Sequence, residues 1–238
     1  MAKNIFKIII IFLIGMGGGI FSEQIFWPYF VERPLFYQYG LENPPIYITE
    51  QKQVTVQENI ALTQAIEKVE QAVAGVKTQK STGIVLEGSG LIVTSDGLVV
   101  TLAELVPQDA SSFFFIDGNP ENFQLLKRDL KNNLALVKIE KSNLKTAGFA
   151  NLDDLRLGER VFLVGVVFEK KGISKAVNEG TVRFFDKTRI QTNIAEKYTM
   201  AGSPLFNIKG EVLGLNTINA EGRVVAIPIS TIKEFVGM

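Results

Sequence analysis

"TMAGSPLFNIKGEVLGLN", Thr199 to Asn216, is the stretch on which the reading of this chain turns. Small residues at 201–203 bend the backbone into Pro204-Leu205. A short apolar run follows, then a Lys209-Gly210 turn, then a second apolar run. Apolar segments of this length, bounded by glycine-containing turns, predict a tight turn opening into a β-hairpin.

The same pattern extends outward in both directions. Upstream lie "AVAGVKTQ" (72–79), "TGIVLEGSGLIVT" (82–94), "LVVTLAEL" (98–105), "SSFFFID" (111–117), "ENFQLLKRD" (121–129) and "LALVKIE" (134–140). Then come "RVFLVGVVF" (160–168), "AVNEGTVRFFD" (176–186) and "RIQTNI" (189–194), with "RVVAIPI" (223–229) after the hairpin. Asp96-Gly97, Asp117-Gly118 and Glu221-Gly222 are hairpin-type turns. "NIALTQAIEKVEQAV" (59–73) carries Ile60, Ala61, Ala65, Ile66 and Val69 at helical spacing with Asn59 as N-cap, and Ser230 is placed to cap a final helix. About a dozen strands with a pause near 147–157 predict an all-β domain of two six-stranded β-barrels with short terminal helices.

The N-terminus has a different character. Lys3 and Lys7 precede the run "IIIIFLIGMGGGIF" (8–21), and the apolar stretch from Ile5 to Trp27 approaches the roughly 20 residues that span a bilayer. The basic flank predicts a cytoplasmic start and an extracytoplasmic remainder, and the aromatics of "IFWPYF" (25–30) suit the outer interface. A cleaved signal peptide shares the basic and apolar parts. No Ala-x-Ala site is present, although Gly17 to Gly19 are small enough to keep cleavage open. Gly15-x-x-x-Gly19 matches a helix-packing pattern, or simple glycine tolerance. The expected organisation is a cytoplasmic stub and transmembrane anchor (1–30), an extended Pro- and Gln-containing linker (31–58) with one strand at "QVTV", and the β-domain (59–238).

Composition removes several function classes. The 25 basic and 25 acidic residues balance, which argues against a nucleic-acid partner. Lys127-Arg128 with Lys131, and Lys170-Lys171, read as solvated loop charges. There is no cysteine, so thiol chemistry and disulfides are absent. There is no histidine, the usual general base and zinc ligand. Asp153-Asp154 is a weak carboxylate signal, read as a loop, and no cofactor or metal is expected.

Several segments together resemble the HtrA/Deg-type trypsin-like serine proteases. They are "AIEKVEQAVAGVKT", "GSGLIVTSDGLVVTLAELV", "NNLALVKIE", "LDDLRLGERVFLVG", "NEGTVRF", "RIQTNIA", "AGSPLFNIKGEVLGLNT" and "VVAIPIS", in the family's order from about Ala65 to Ile232. The resemblance implies a trypsin-like double barrel, and it finds no counterpart here of the family's C-terminal PDZ domain. It also implies where a Ser-His-Asp triad belongs. The histidine's place, in a Thr-Asn-x-His-Val-like context, holds Glu104 after the retained Thr101. The aspartate's place before Leu134-Ala135 holds Asn133. The serine's place in Gly-Asn-Ser-Gly-Gly-Pro-Leu holds Ala201, with Thr199 and Met200 before it and Gly202 and Ser203 after.

A triad works because serine attacks, histidine takes its proton and aspartate orients the ring. Alanine has no nucleophilic atom. Asn133 carries no charge and is expected to orient nothing. Thr199 replaces the glycine whose N–H lines an oxyanion hole, and a β-branched residue resists the dihedrals glycine permits. Relocated chemistry would need Ser203 or Thr199 with Lys197, or Glu104 paired with Asp129 or Glu196.

Three functions follow. The first is a membrane-anchored pseudoprotease that binds extended polypeptide or an envelope partner by strand addition, which needs no triad. The second is a structural or regulatory subunit, since the resemblance implies trimeric assembly. The third is a hydrolase with a moved nucleophile.

Overall fold

The computed structural model describes residues 2–31 and 60–238. The linker expected at 31–58, its "QVTV" strand and the Asn59 cap lie, apart from Val31, outside the described residues. The chain divides into two compact units, Met1–Val56 and Gln57–Met238.

In the first unit, α1 (Ala2–Phe21) continues into π-helical turns over Ser22–Val31. Ile5–Trp27 is a 23-residue helical stretch long and apolar enough to cross a membrane. Its large side chains, among them Ile8, Phe12 and Trp27, are exposed.

The second unit opens with helix α2 (60–69), which buries Ala65 and Val69 while Ile60 stays exposed. Two seven-stranded sheets follow. The first holds β1 (Val73–Lys80), β2 (Val85–Ile92), β3 (Leu98–Leu102), β4 (Ala110–Ile116), β5 (Asn119–Glu121), β6 (Phe123–Asp129) and β7 (Leu134–Ile139), in the order β5-β4-β1-β2-β3-β7-β6.

The second sheet holds β8 (Gly148–Phe149), β9 (Arg160–Glu169), β10 (Gly172–Phe185), β11 (Ile190–Ala195), β12 (Pro204–Asn207), β13 (Glu211–Ile218) and β14 (Arg223–Pro228). Its order is β12-β9-β10-β11-β14-β13-β8, and β12 also pairs with β13. That pairing closes six strands into a barrel, which removes their free edges. The seventh strand of each sheet is an addition of two or three residues, β8 running parallel to β13 and β5 pairing with β4. The expected pair of six-stranded barrels is present as two barrel-like sheets, the second closed by the β12–β13 pairing, with one short extra strand on each.

One apolar core runs through both sheets and α2, joining Val73, Leu91, Leu102 and Phe114 to Phe162, Val164 and Phe206. Phe162 and Phe206 are fully buried and stacked at 5.3 Å. A second cluster, with Leu163, Ile190, Leu205 and Val224, fills the closed barrel. Alternation along the strands produces this: successive side chains point to opposite faces, so a half-apolar strand buries one face.

Three expectations need correction. The last helix, α3 (Ile229–Val236), starts at Ile229 behind Pro228 with no side-chain cap, so Ser230 lies inside its first turn. Proline's fixed φ ends β14 and starts the helix without a hydroxyl cap. The segment 98–105 is a strand only to Leu102, after which Ala103–Leu105 forms a 3-10 turn. Lys127 and Arg128 are not loop charges: both lie on β6. The Lys127 ammonium donates to the Phe235 carbonyl at 2.9 Å, and the Arg128 guanidinium donates to the Ala103 carbonyl at 3.0 Å.

Candidate functional site

Two turns from the first sheet and one from the second meet at the candidate site. The first is the 3-10 turn Ala103–Leu105 at the end of β3, which carries Glu104. The second joins β6 to β7 and ends at Asn133. Asn133 has φ +54°, a left-handed conformation that asparagine tolerates better than most residues. Its carbonyl accepts the Ala103 N–H at 3.1 Å. Its side chain accepts the Glu104 backbone N–H at 3.1 Å and donates to Glu104 Oε1 at 2.9 Å. Asn133 therefore does orient a partner: it clamps Glu104 from both ends, contrary to expectation.

The third turn is the 3-10 segment Tyr198–Met200 between β11 and β12. Met200 N–H donates to the Lys197 carbonyl and Ala201 N–H to the Tyr198 carbonyl, both at 2.9 Å. Met200 is buried against Gly165. Gly202 follows with φ +76°. Its N–H reaches the Asn216 carbonyl at 2.8 Å, and Asn216 N–H returns to the Ser203 carbonyl at 2.8 Å.

Ser89 on β2 fastens this turn to the first sheet. Its N–H donates to the Ala201 carbonyl at 2.9 Å, and its carbonyl accepts the Thr101 hydroxyl at 2.7 Å. Its hydroxyl oxygen accepts the Val166 N–H at 2.8 Å. The approach is close enough that a Cβ on Gly88 would stand 2.6 Å from the Ala201 carbonyl oxygen. Sequence reasoning passed over Ser89; its place between Gly88 and Gly90 was the available signal.

Tyr198 joins the groups from the two sheets. Its phenol lies beside the Glu104 carboxylate. Burial, then the Glu104 charge and hydrogen bonding to it, hold the phenol pKa above the ordinary tyrosine value, so it remains a neutral hydroxyl. Tyr198 was also missed, because a contact across 94 positions of sequence leaves no local pattern.

The remaining candidates fall elsewhere or inward. Ser203 is fully buried and its hydroxyl oxygen accepts Asn216 Nδ2 at 3.1 Å. Asp129 binds the turn at Lys131 and Asn132, and Glu196 accepts from Asn178 and Lys197, so both carboxylates are engaged away from Glu104. Asp153 and Asp154 sit in a 3-10 turn. Among the described residues no group of three or more carboxylates is arranged to hold a metal.

Two barrel-like sheets meeting at a buried small-residue turn define a chymotrypsin-like class of protein. The sequence pattern of the trypsin-like peptidase domain matches residues 88–215, from the Ser89 fastening to the hairpin after the turn. The chain belongs to that family and is of its HtrA type. It is 32% identical over 109 residues to a probable periplasmic serine endoprotease DegP-like of Halomonas elongata, covering 42% of this chain and 22% of that protein. It is 33% identical over 130 residues to serine protease HTRA1 of Xenopus tropicalis, covering 50% and 28%. The chain thus spans less than a third of the length of these relatives.

Proposed function

We propose that this chain is a membrane-anchored pseudoprotease that holds extended polypeptide of the cell envelope without cutting it. Glu104, Asn133 and Ala201 stand in the triad's places. One observation carries the reading: at Ala201 the nucleophilic atom is missing and the backbone N–H is spent on the Tyr198 carbonyl. An oxyanion hole needs donors free to point at the developing charge. Here a donor at the nucleophile position is bonded within its own turn, and Thr199 has no positive φ to turn a second one outward.

Binding does not need those groups. Strand addition uses backbone N–H and C=O at a sheet edge. After Leu215, β13 leaves β12, and Thr217–Ile218 pair only with β14 among the described strands. That short edge lies directly after Asn216, which is bonded to the site turn. The apolar helix Ile5–Trp27, preceded by Lys3, supports anchoring with the barrels outside the cytoplasm. A relocated nucleophile is disfavoured, because Ser203 is buried against Asn216.

The test is incubation of the full-length chain in detergent micelles with unfolded casein, following new termini by mass spectrometry and retained casein by pull-down. Retained, uncut casein is the expected result. New termini that vanish in Ser203→Ala or Thr199→Ala overturn the proposal.

A further inference from the structure

Glu104 is exposed and held still. Asn133 fixes both its backbone N–H and its carboxylate. A carboxylate clamped in this way has lost its rotamer freedom before any ligand arrives, which lowers the cost of recognition. Among the described residues no Lys or Arg nitrogen lies within 4.0 Å of it, while six other carboxylates have such a partner. Arg128, on the adjacent strand, is turned to the Ala103 carbonyl. The carboxylate's neighbours are neutral: the Asn133 amide and the Tyr198 phenol.

We infer that Glu104 is a recognition site for a cationic side chain, Lys or Arg, of the polypeptide held by this domain, and that this group displaces the Tyr198 hydroxyl. The inference rests on the polypeptide-holding reading above and adds the chemistry of the bound segment. The exchange is favourable because a hydrogen bond between ammonium or guanidinium and carboxylate is roughly twice as strong as one from a neutral donor. The displaced phenol belongs to a side chain that is 41% exposed, so its hydroxyl can be satisfied by water. A carboxylate at this place also disfavours acidic segments, which sharpens selection.

The test uses the full-length chain in detergent micelles and fluorescence anisotropy. The probes are extended Val/Thr-rich peptides with a single Lys stepped through successive positions, each paired with its acetyl-lysine counterpart, which keeps the length and removes the charge. At one Lys position the charged peptide is expected to bind about three- to tenfold more tightly, with the preference shrinking as salt rises. Glu104→Gln is expected to erase the preference while acetyl-lysine peptides still bind. Tyr198→Phe is expected to strengthen binding of the Lys peptide alone, by removing its competitor.

Equal affinity for both peptides at every position overturns the cation site and leaves polypeptide holding standing. A preference that survives Glu104→Gln also overturns it, by placing the cation elsewhere. No binding of either peptide overturns both readings.

Discussion

The turn at 198–203 has two sides that obey different rules. Its underside, facing the core, is tied to β2 by the Ser89–Ala201 bond and to β13 by the Gly202 and Asn216 bonds, while Thr101 on β3 holds Ser89 in turn, and Ala201 and Ser203 there are fully buried. Its outer side carries Tyr198, which is 41% exposed and meets the exposed Glu104. The difference separates support from presentation: the buried side holds the turn in place, and the outer side offers polar groups to solvent.

Gly202→Ala should break the underside most severely. A Cβ there would lie 2.2 Å from the Ser89 carbonyl oxygen, at φ +76°. The loss is expected to be about 4 kcal/mol or more, or failure to fold, read as the midpoint of urea denaturation. A loss below about 1 kcal/mol would show that the turn and β2 can separate cheaply. Ser203→Ala removes the acceptor of a buried Asn216 amide and is expected to cost about 1–2 kcal/mol in the same measurement. No measurable loss there would place the Ser203 hydroxyl outside the support.

The strands and the corner of the underside were legible in the sequence; the Ser89 fastening and the contacts of the outer side were not. Apolar alternation and glycine turns are local, so the strands, the hairpin after Ala201 and the corner at Gly202 could be read from neighbouring residues. The extra strands were harder, because β8 has two residues and β5 contains Pro120. The Asn133–Glu104 clamp joins side chains 29 residues apart, and no pattern in either segment announces it. Asparagine was read only for the charge it lacks. In the fold its amide, a donor and an acceptor together, matches both the N–H and the carboxylate of Glu104.

The smallest expected effect lies between the two sides, in the turn that presents Asn133. Asp129 accepts the N–H groups of Lys131 and Asn132 at 2.9 and 3.1 Å, and Asn132 Nδ2 at 2.6 Å. The Asn132 side chain first, then these backbone donors, holds the carboxyl below its ordinary value of 3.8. A depressed folded pKa contributes stability above 3.8, and that contribution fades as pH falls through the folded value. Asp96 and Asp186 shift in the same direction for like reasons, bonded first to Lys138 and Thr188, so the acid limb is shared among three exposed groups. Asp129→Asn is therefore expected to flatten, without abolishing, the fall in Tm between about pH 5 and about pH 2. If the acid limbs of the variant and the parent superimpose, Asp129 does not hold the turn, and Asn133 keeps its left-handed conformation through its bonds to Ala103 and Glu104 alone.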